Sequence, residues 1–320
     1  SELGDQNLCT ASAYEVLSSI YGNKKSYDEC IKYELRALDI RLRLVPDNHP
    51  SVANSYNNLG YWYNILGRYQ QALEYNKKSL ICRMSVLGDK HYEVANSYTN
   101  IGYDYMCLEN YDKAIESYET ALEIMLGIEE VGDSSASGLY LMMADVYEKK
   151  GDYEKQIDSM SKGLAIKKKL DGENSESVAD ILYDMGSVYW EHKQFDMALH
   201  FFLEELEVGK LLYGEDSLDV AVRYNNLGLN YRSISQYERA IEMLTMSLKI
   251  KVNSHAENQT EIATTYDNIG LTYADMKNYI EASENILKSL EIRLSLFGRV
   301  HKDTLILYEH LGYVYSAMQE

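Results

Sequence analysis

Proline and cysteine are scarce in this sequence, and its 31 basic residues are outnumbered by 50 acidic residues. Only two prolines occur among 320 residues, Pro46 and Pro50, so long stretches have no helix breaker and an all-α fold is favoured. The formal net charge is −19. A chain this acidic has no evident basic face with which to displace the counterions of nucleic acid or to approach an anionic membrane, and neither is predicted as a partner. A basic protein segment would suit this charge.

Cysteine patterning and apolar runs argue against a secreted or membrane protein. The cysteines form no C-x-x-C pair and none follows residue 107, which favours neither a disulfide framework nor a zinc site. Residues 1–30 lack a signal-peptide pattern, and no window of 18 apolar residues occurs. We therefore expect a reduced, cytoplasmic protein, in which the sequon at Asn258 is accidental. The cysteines are Cys9, Cys30, Cys82 and Cys107.

An uninterrupted repeat of 42 residues runs through the whole chain. Tyrosine recurs at this interval eight times, and leucine and small residues form further columns in the same register. Such a period is typical of a repeat architecture. The tyrosine column is Tyr21, Tyr63, Tyr105, Tyr147, Tyr189, Tyr231, Tyr273 and Tyr315. The glycine column is Gly60, Gly102, Gly186, Gly228, Gly270 and Gly312.

One repeat predicts a helical hairpin. Tyr56, Leu59, Gly60 and Tyr63 share one helical stripe, which indicates helix A over about 51–66. A glycine inside a helix costs about 1 kcal/mol, so its recurrence predicts a second helix too close for a Cβ atom. Gly67 breaks the helix, helix B follows over about 69–87, and Gly88 ends it. A single hairpin cannot bury its own stripes, so we expect neighbouring hairpins to stack.

The pattern of Tyr56, Leu59, Gly60 and Tyr63 resembles the tetratricopeptide repeat, with Tyr56 in place of the usual tryptophan. The longer period resembles the kinesin-light-chain type of this repeat. The resemblance implies an all-α, α-solenoid superhelix of tandem antiparallel helix-turn-helix repeats. It covers one domain over 1–320, divided at about 9–50, 51–92, 93–134, 135–176, 177–218, 219–260, 261–302 and a partial 303–320.

The two ends of the chain predict a fragment of a longer protein. Ser1–Asp5 aligns with the close of a helix B, and Glu320 stands one position before the tyrosine that would begin another. A last helix A without its own helix B is expected to expose Leu311 and Tyr315, unless it pairs with another copy.

The resemblance implies that the A helices line a concave surface that binds a partner. Side-chain amides recur there, and they can grip the backbone of an extended peptide or, alternatively, bond the neighbouring repeat. Exposed aromatics can anchor a partner or pack on the next A helix. The predicted partner-binding residues are Asn54, Asn57, Asn58, Tyr61, Asn96, Asn100, Tyr103, Asp184, Trp190, Asn225, Asn226, Asp267 and Asn268.

Acidic residues are concentrated in two repeats. Residues 93–134 have a net charge of −9 and residues 177–218 have −7. Many of these acids, including Glu116, Glu204 and Glu205, are predicted on B helices, where a solubilising convex surface is the favoured interpretation over a site for a basic partner.

No motif for catalysis, a metal or a cofactor is present. His49, His91 and His301 share one repeat column and are predicted to be turn or capping residues. The sequence thus predicts a non-enzymatic scaffold that binds a protein or peptide segment in the groove, with no cofactor. The alternative is a regulatory or sensor array attached to an effector such as a nucleotidase or protease domain. The oligomeric state is left open.

Overall fold

The computed structural model describes residues 7–128, 132–254 and 259–319, which contain fifteen α-helices and no β-strand. The prediction of an all-α fold is confirmed. The helices are α1 (Leu8–Asn23), α2 (Tyr27–Leu44), α3 (Pro50–Ile65), α4 (Tyr69–Leu87), α5 (Tyr92–Cys107), α6 (Tyr111–Leu126), α7 (Gly132–Lys150), α8 (Tyr153–Asp171), α9 (Glu176–Glu191), α10 (Phe195–Tyr213), α11 (Leu218–Ser233), α12 (Tyr237–Asn253), α13 (Gln259–Asp275), α14 (Tyr279–Phe297) and α15 (Lys302–Ala317).

Odd-numbered helices are the A helices and even-numbered helices are the B helices. The chain forms two compact units, the first ending at Ile166 and the second beginning at Lys167. In the first unit each helix from α1 to α7 packs on its neighbours in sequence, and the same holds from α9 to α15 in the second. The features predicted at Ser1–Asp5, Asn258 and Glu320 lie outside the described residues.

The glycine column marks the closest approach of helices A and B, as predicted. A Cβ atom on Gly102 would lie 2.5 Å from the ring of Tyr118, and one on Gly270 would lie 3.0 Å from the carbonyl oxygen of Ala282. Tyr118 is fully buried. Gly312 in α15 is the exception, because a Cβ atom added there would meet no heavy atom of another described helix within 4 Å.

The turn from helix A to helix B places one residue in the left-handed region. Between α3 and α4 this residue is Gly67, with φ of 71°, and the amide of Arg68 donates to the carbonyl oxygen of Tyr63 at 2.9 Å. This is the geometry of a Schellman cap. The same repeat column has positive φ in every other described turn, where it is occupied by Lys25, Glu109, Gly151, Lys193, Ser235 and Lys277.

The histidine column caps A helices. The Nδ1 atom of His49 accepts a hydrogen bond from the amide of Ser51 at 3.2 Å, and His91 and His301 accept equivalent bonds at 3.1 and 3.3 Å. These bonds satisfy one of the free amides at the first turn of each helix. The prediction of a capping role is confirmed.

Buried basic residues join several B helices to the A helix that follows. Arg83 on α4 donates to the hydroxyl of Ser97 on α5 at 2.8 Å, and Lys251 on α12 donates to Thr265 on α13 at 3.0 Å. The hydroxyl residue stands 14 positions after the base in both pairs. These hydrogen bonds fix the position of each of these A helices relative to the B helix that precedes it.

The prediction that Glu205 lies on a solvated surface is wrong. Its side chain is 3% exposed and forms an ion pair with Arg223, with Nε to Oε1 at 2.9 Å. Here the basic residue is on the A helix α11, and Gly209 on α10 provides the space, since a Cβ atom there would lie 2.5 Å from Arg223 Nε. Burial raises the pKa of Glu205 to about 7. Glu116 is exposed, as expected, and Glu204 pairs with Lys168.

The last A helix buries more than the sequence predicts. Leu311 is 6% exposed and belongs to an apolar cluster with Ile286 and Leu290 of α14, so the prediction that it is exposed is wrong. Tyr315 is 45% exposed, in agreement with the prediction. The preceding helix B therefore covers one side of α15 and leaves the other open.

Candidate functional site: the amide and aromatic face of the A helices

Successive A helices are linked by hydrogen bonds between side-chain amides. Asn100 Nδ2 on α5 donates to Asn57 Oδ1 on α3 at 3.0 Å, and Asn268 on α13 repeats this bond to Asn225 on α11 at 3.1 Å. Both pairs are half-buried. The alternative in which the amides bond the neighbouring repeat is therefore realised for these four residues. Each bond uses one donor and one acceptor, and every primary amide has more of both.

Elsewhere on this face, carboxyl groups and a histidine ring take part in the contacts of the A helices. His310 on α15 contacts Asp267 on α13, with Nδ1 to Oδ1 at 2.9 Å. Asn58 on α3 donates to Glu15 at 3.2 Å and to Glu34 at 3.4 Å. Glu34 is 1% exposed, and burial, reinforced by the charge of Glu15, raises its pKa to about 7. Asn58 thus bridges two carboxyl groups.

A polar cavity of about 400 Å³ lies between α3 and α5, above α4, and we call it the Asp104 pocket. The exposed rings of Tyr61 and Tyr103 line it, at 56% and 43% exposure. Its other lining residues are Asn57, Asn58, Gly60, Asn64, Ile65, Asn76, Asn100 and Asp104. It therefore combines predicted site residues with three polar residues that were not predicted, Asn64, Asn76 and Asp104.

Two amides hold the Asp104 carboxylate within this pocket. Asn64 Nδ2 donates to Oδ1 at 2.8 Å, and Asn76 Nδ2 donates to Oδ2 at 2.6 Å. Asn76 reaches this position because Gly60 has no Cβ atom, which would otherwise lie 2.2 Å from Asn76 Oδ1. Asp104 is fully buried, and burial raises its pKa to about 6 although both hydrogen bonds oppose the rise.

The second unit has an equivalent cavity of about 220 Å³ between α9 and α11, above α10, which we call the Trp190 pocket. It is lined by Tyr183, Ser187, Trp190, Glu191, Phe202, Asn226 and Leu229. Tyr183, Trp190 and Phe202 stand 126 residues, or three repeats, after Asn57, Asn64 and Asn76. Aromatic groups thus occupy the columns that are amides in the Asp104 pocket, so two similar cavities differ sharply in polarity.

The remaining predicted residues lie outside the two pockets. Asn54 is exposed and accepts from Arg83 Nη2 at 3.5 Å, whereas Asn96 is half-buried on α5. Asp184 is exposed on α9. Asp267 is 8% exposed, so the histidine contact described above accounts for its position.

The sequence prediction omits Asp104, Asn64 and Asn76, although the repeat alignment marks one of them. The column of Asp104 otherwise reads Ile20, Trp62, Val146, Val188, Asn230, Thr272 and Val314, so Asp104 is its only charged member. In the predicted hairpin this column belongs to helix A and carries no recurrent polar residue. A charge in an otherwise uncharged column is the signal that could have found it.

The sequence matches the tetratricopeptide-repeat family over residues 9–81, 52–126, 135–210, 193–251 and 261–320. These matches cover most of the chain, which therefore belongs to the tetratricopeptide-repeat family. Its 42-residue repeats are of the kinesin-light-chain type, as predicted. Tetratricopeptide-repeat proteins generally mediate protein–protein interactions and are typically non-catalytic scaffolds.

Several solved structures share the fold. A tetratricopeptide-repeat protein from Cytophaga hutchinsonii is 15% identical with a TM-score of 0.64, over 91% of this chain and 98% of that one. BtubC (BKLC) from P. vanneervenii is 22% identical with a TM-score of 0.54, over 72% and 90%. A putative kinesin light chain repeat protein from Podospora anserina is 17% identical with a TM-score of 0.54, over 65% and 99%. No curated protein sequence matches this chain.

Within the described ranges, no helix is both long and apolar enough to cross a bilayer.

Proposed function

We propose that the exposed face of the A helices binds an extended segment of a partner protein. The observation that carries the proposal is the pairing of cavities with exposed aromatic rims, one in each unit: Tyr61 and Tyr103 in the first, Tyr183 and Trp190 in the second. Exposed tyrosine and tryptophan beside a cavity are the side chains that most often carry binding energy at protein interfaces.

The amides that line these cavities provide the complementary polar contacts. Asn57, Asn58 and Asn100 line the Asp104 pocket, and Asn226 lines the Trp190 pocket. The bonds between neighbouring A helices fix the orientation of Asn57 and Asn100 before a partner arrives. A fixed amide with remaining donors and acceptors can bond a peptide backbone at a reduced entropic cost.

Selection from a displayed library of random dodecapeptides tests the proposal. We expect peptides that bind the purified chain, and we expect the double variant Tyr61→Ala/Trp190→Ala to weaken their binding by about ten-fold or more, because each substitution removes a ring at the rim of one cavity. Fluorescence polarisation with the selected peptides measures this change.

The matched control is Ile81→Ala/Leu211→Ala. These two residues are the most exposed large apolar residues on α4 and α10, at 69% each, and they lie on B helices outside both pockets. Binding that is lost equally in the control, or retained in the aromatic variant, would contradict the proposal. Circular dichroism of all variants establishes that each is folded.

A further inference from the structure

The Asp104 carboxylate is a buried anion whose polar partners are neutral. Both of its oxygens accept hydrogen bonds from amides, and in the described part of the chain it forms no ion pair with a lysine or arginine. Among the other buried carboxylates, Glu205 pairs with Arg223, Glu34 lies 3.9 Å from Arg41, and Asp267 contacts the ring of His310. Burying an anion without a cation is costly, so its retention at this position calls for a physical reason.

The position is also special within the repeat. Asp104 occupies a column that is otherwise uncharged, and its neighbours Asn64 and Asn76 occupy columns that contain Trp190 and Phe202 in the Trp190 pocket. Three polar residues from α3, α4 and α5 are therefore brought together at one cavity, in columns that are wholly apolar in two other repeats, as Met106, Tyr118 and Val146 and as Ala274, Ile286 and Val314. Helix stacking alone does not require them, because other repeats stack with apolar groups in the same columns.

Two groups of the cavity, the Asp104 carboxylate and the Asn76 amide, have acceptor positions that no described residue fills. A carboxylate has about four lone-pair positions, and the two amide bonds to Asp104 use two of them. The buried Oδ1 atom of Asn76 accepts no hydrogen bond from a described residue. A ligand that supplies several N–H donors and a positive charge would match this arrangement.

The rims of the cavity favour a cation as well. The rings of Tyr61 and Tyr103 are exposed at the cavity, and the face of a tyrosine ring attracts an ammonium or guanidinium group. The two repeats that form the cavity, residues 51–134, contain twelve acidic and six basic residues, and their net charge of −6 favours the same ligand. The apolar stem of a long basic side chain would lie along the rings, and its charged head would lie in the cavity beside the wall that contains the buried carboxylate.

We infer that the Asp104 pocket holds the basic side chain, arginine or lysine, of one residue in the bound partner segment. This inference rests on the function proposed above and specifies one side chain of the partner. The Trp190 pocket has no equivalent charge at this position, since Asn230 replaces Asp104 there. The requirement for a basic residue therefore belongs to the first unit.

A comparison of peptide selections tests the inference. We expect peptides selected on the parent chain to contain arginine or lysine at one fixed position, and we expect selection on Asp104→Asn to lose this preference. Glu116→Gln is the matched control, because it removes the same charge from the exposed side of α6 and should keep the preference. If Asp104→Asn does not fold, Asp104→Val replaces it, since valine occupies the same column in α7 and α9.

Synthetic peptides measure the coupling energy between the basic residue of the peptide and Asp104. Replacing the selected arginine with citrulline, which has nearly the same shape and no charge, should weaken binding to the parent chain about ten-fold or more. The same replacement should change binding to Asp104→Asn by less than about two-fold. Equal losses in both proteins would overturn the inference, as would selected peptides without a fixed basic position. A selection that yields no binding peptide at all would contradict the proposed function itself.

Discussion

At the scale of single residues, the fold depends on the absence of a side chain at the glycine column. Gly102 allows the fully buried ring of Tyr118 to pack against the backbone of α5, and Gly186 does the same for Phe202. The cost of a helical glycine, about 1 kcal/mol, is offset by the buried ring that it admits. The recurrence of glycine is therefore explained by packing between helices A and B.

This explanation predicts opposite effects for one substitution at two positions of the column. Gly102→Ala should lower the stability by about 1–3 kcal/mol, because the added methyl group collides with Tyr118. Gly312→Ala should raise it by about 0.5–1 kcal/mol, because its methyl group meets no atom and alanine favours a helix. Thermal unfolding followed by circular dichroism measures both. Changes of the same sign would contradict the explanation.

The predicted binding residues can be compared one by one with the lining of the Asp104 pocket. Of the predicted binding residues, Tyr61, Tyr103, Asn57, Asn58 and Asn100 do meet at one cavity. Their role in binding remains a proposal. The sequence marks Asp104 as a charge in an otherwise uncharged column, but its burial and its amide partners become evident only when α3, α4 and α5 are packed together.

At the scale of helices and turns, the cap between helices A and B is the most regular feature. Its left-handed position is glycine in two of the seven described turns, at Gly67 and Gly151. The other five carry a side chain at a φ between 56° and 62°. A residue with a Cβ atom is strained in this region, whereas glycine is not.

Glycine at the other turn positions should therefore stabilise the chain. Lys193→Gly and Lys277→Gly, both exposed, should each raise the stability by about 0.5–1 kcal/mol. The control Lys249→Gly, at an exposed position inside α12, should lower it by about 1 kcal/mol. Thermal unfolding midpoints of the three variants distinguish these outcomes, and a loss of stability at the turn positions would refute the cap assignment.

The bounds of helices α3 and α4 agree with the sequence prediction to within one residue. This accuracy has a local cause: the cap glycines and the apolar stripe are all contained within one repeat, and seven copies average out local exceptions. The division into seven repeats and a partial eighth, and the interpretation as a fragment, remain predictions.

At the scale of the whole molecule, the pH dependence of stability depends on a net charge of −19 and on three buried carboxyl groups whose pKa values are raised. Burial raises the pKa of Glu34 and Glu205 to about 7 and that of Asp104 to about 6. In the unfolded chain such groups titrate near 4. A carboxyl group with a raised pKa in the folded state binds its proton more tightly there, so its stabilising effect is present at low pH and is lost as the pH rises.

The chain should therefore be more stable at pH 5.5 than at pH 8. The expected gain is about 2 kcal/mol for each of Glu34 and Glu205 and about 1 kcal/mol for Asp104, whose pKa is raised less, and the same acidification reduces charge repulsion at the surface. The triple variant Glu34→Gln/Asp104→Asn/Glu205→Gln should flatten the dependence. Unfolding midpoints measured across this range provide the test, and a midpoint that falls on acidification would contradict it.

The sequence by itself determined the helices, their order, the turn positions and the class of repeat, because each is marked by residue types that recur in the same column of successive repeats. Only the tertiary structure decided which polar groups are buried and paired. Asp104 meets Asn76 from 28 residues away and Asn64 from 40 residues away, and both contacts exist only after helices of successive repeats pack together. A periodic pattern specifies which face of a helix is covered, but the electrostatic character of a cavity depends on side chains from three different helices.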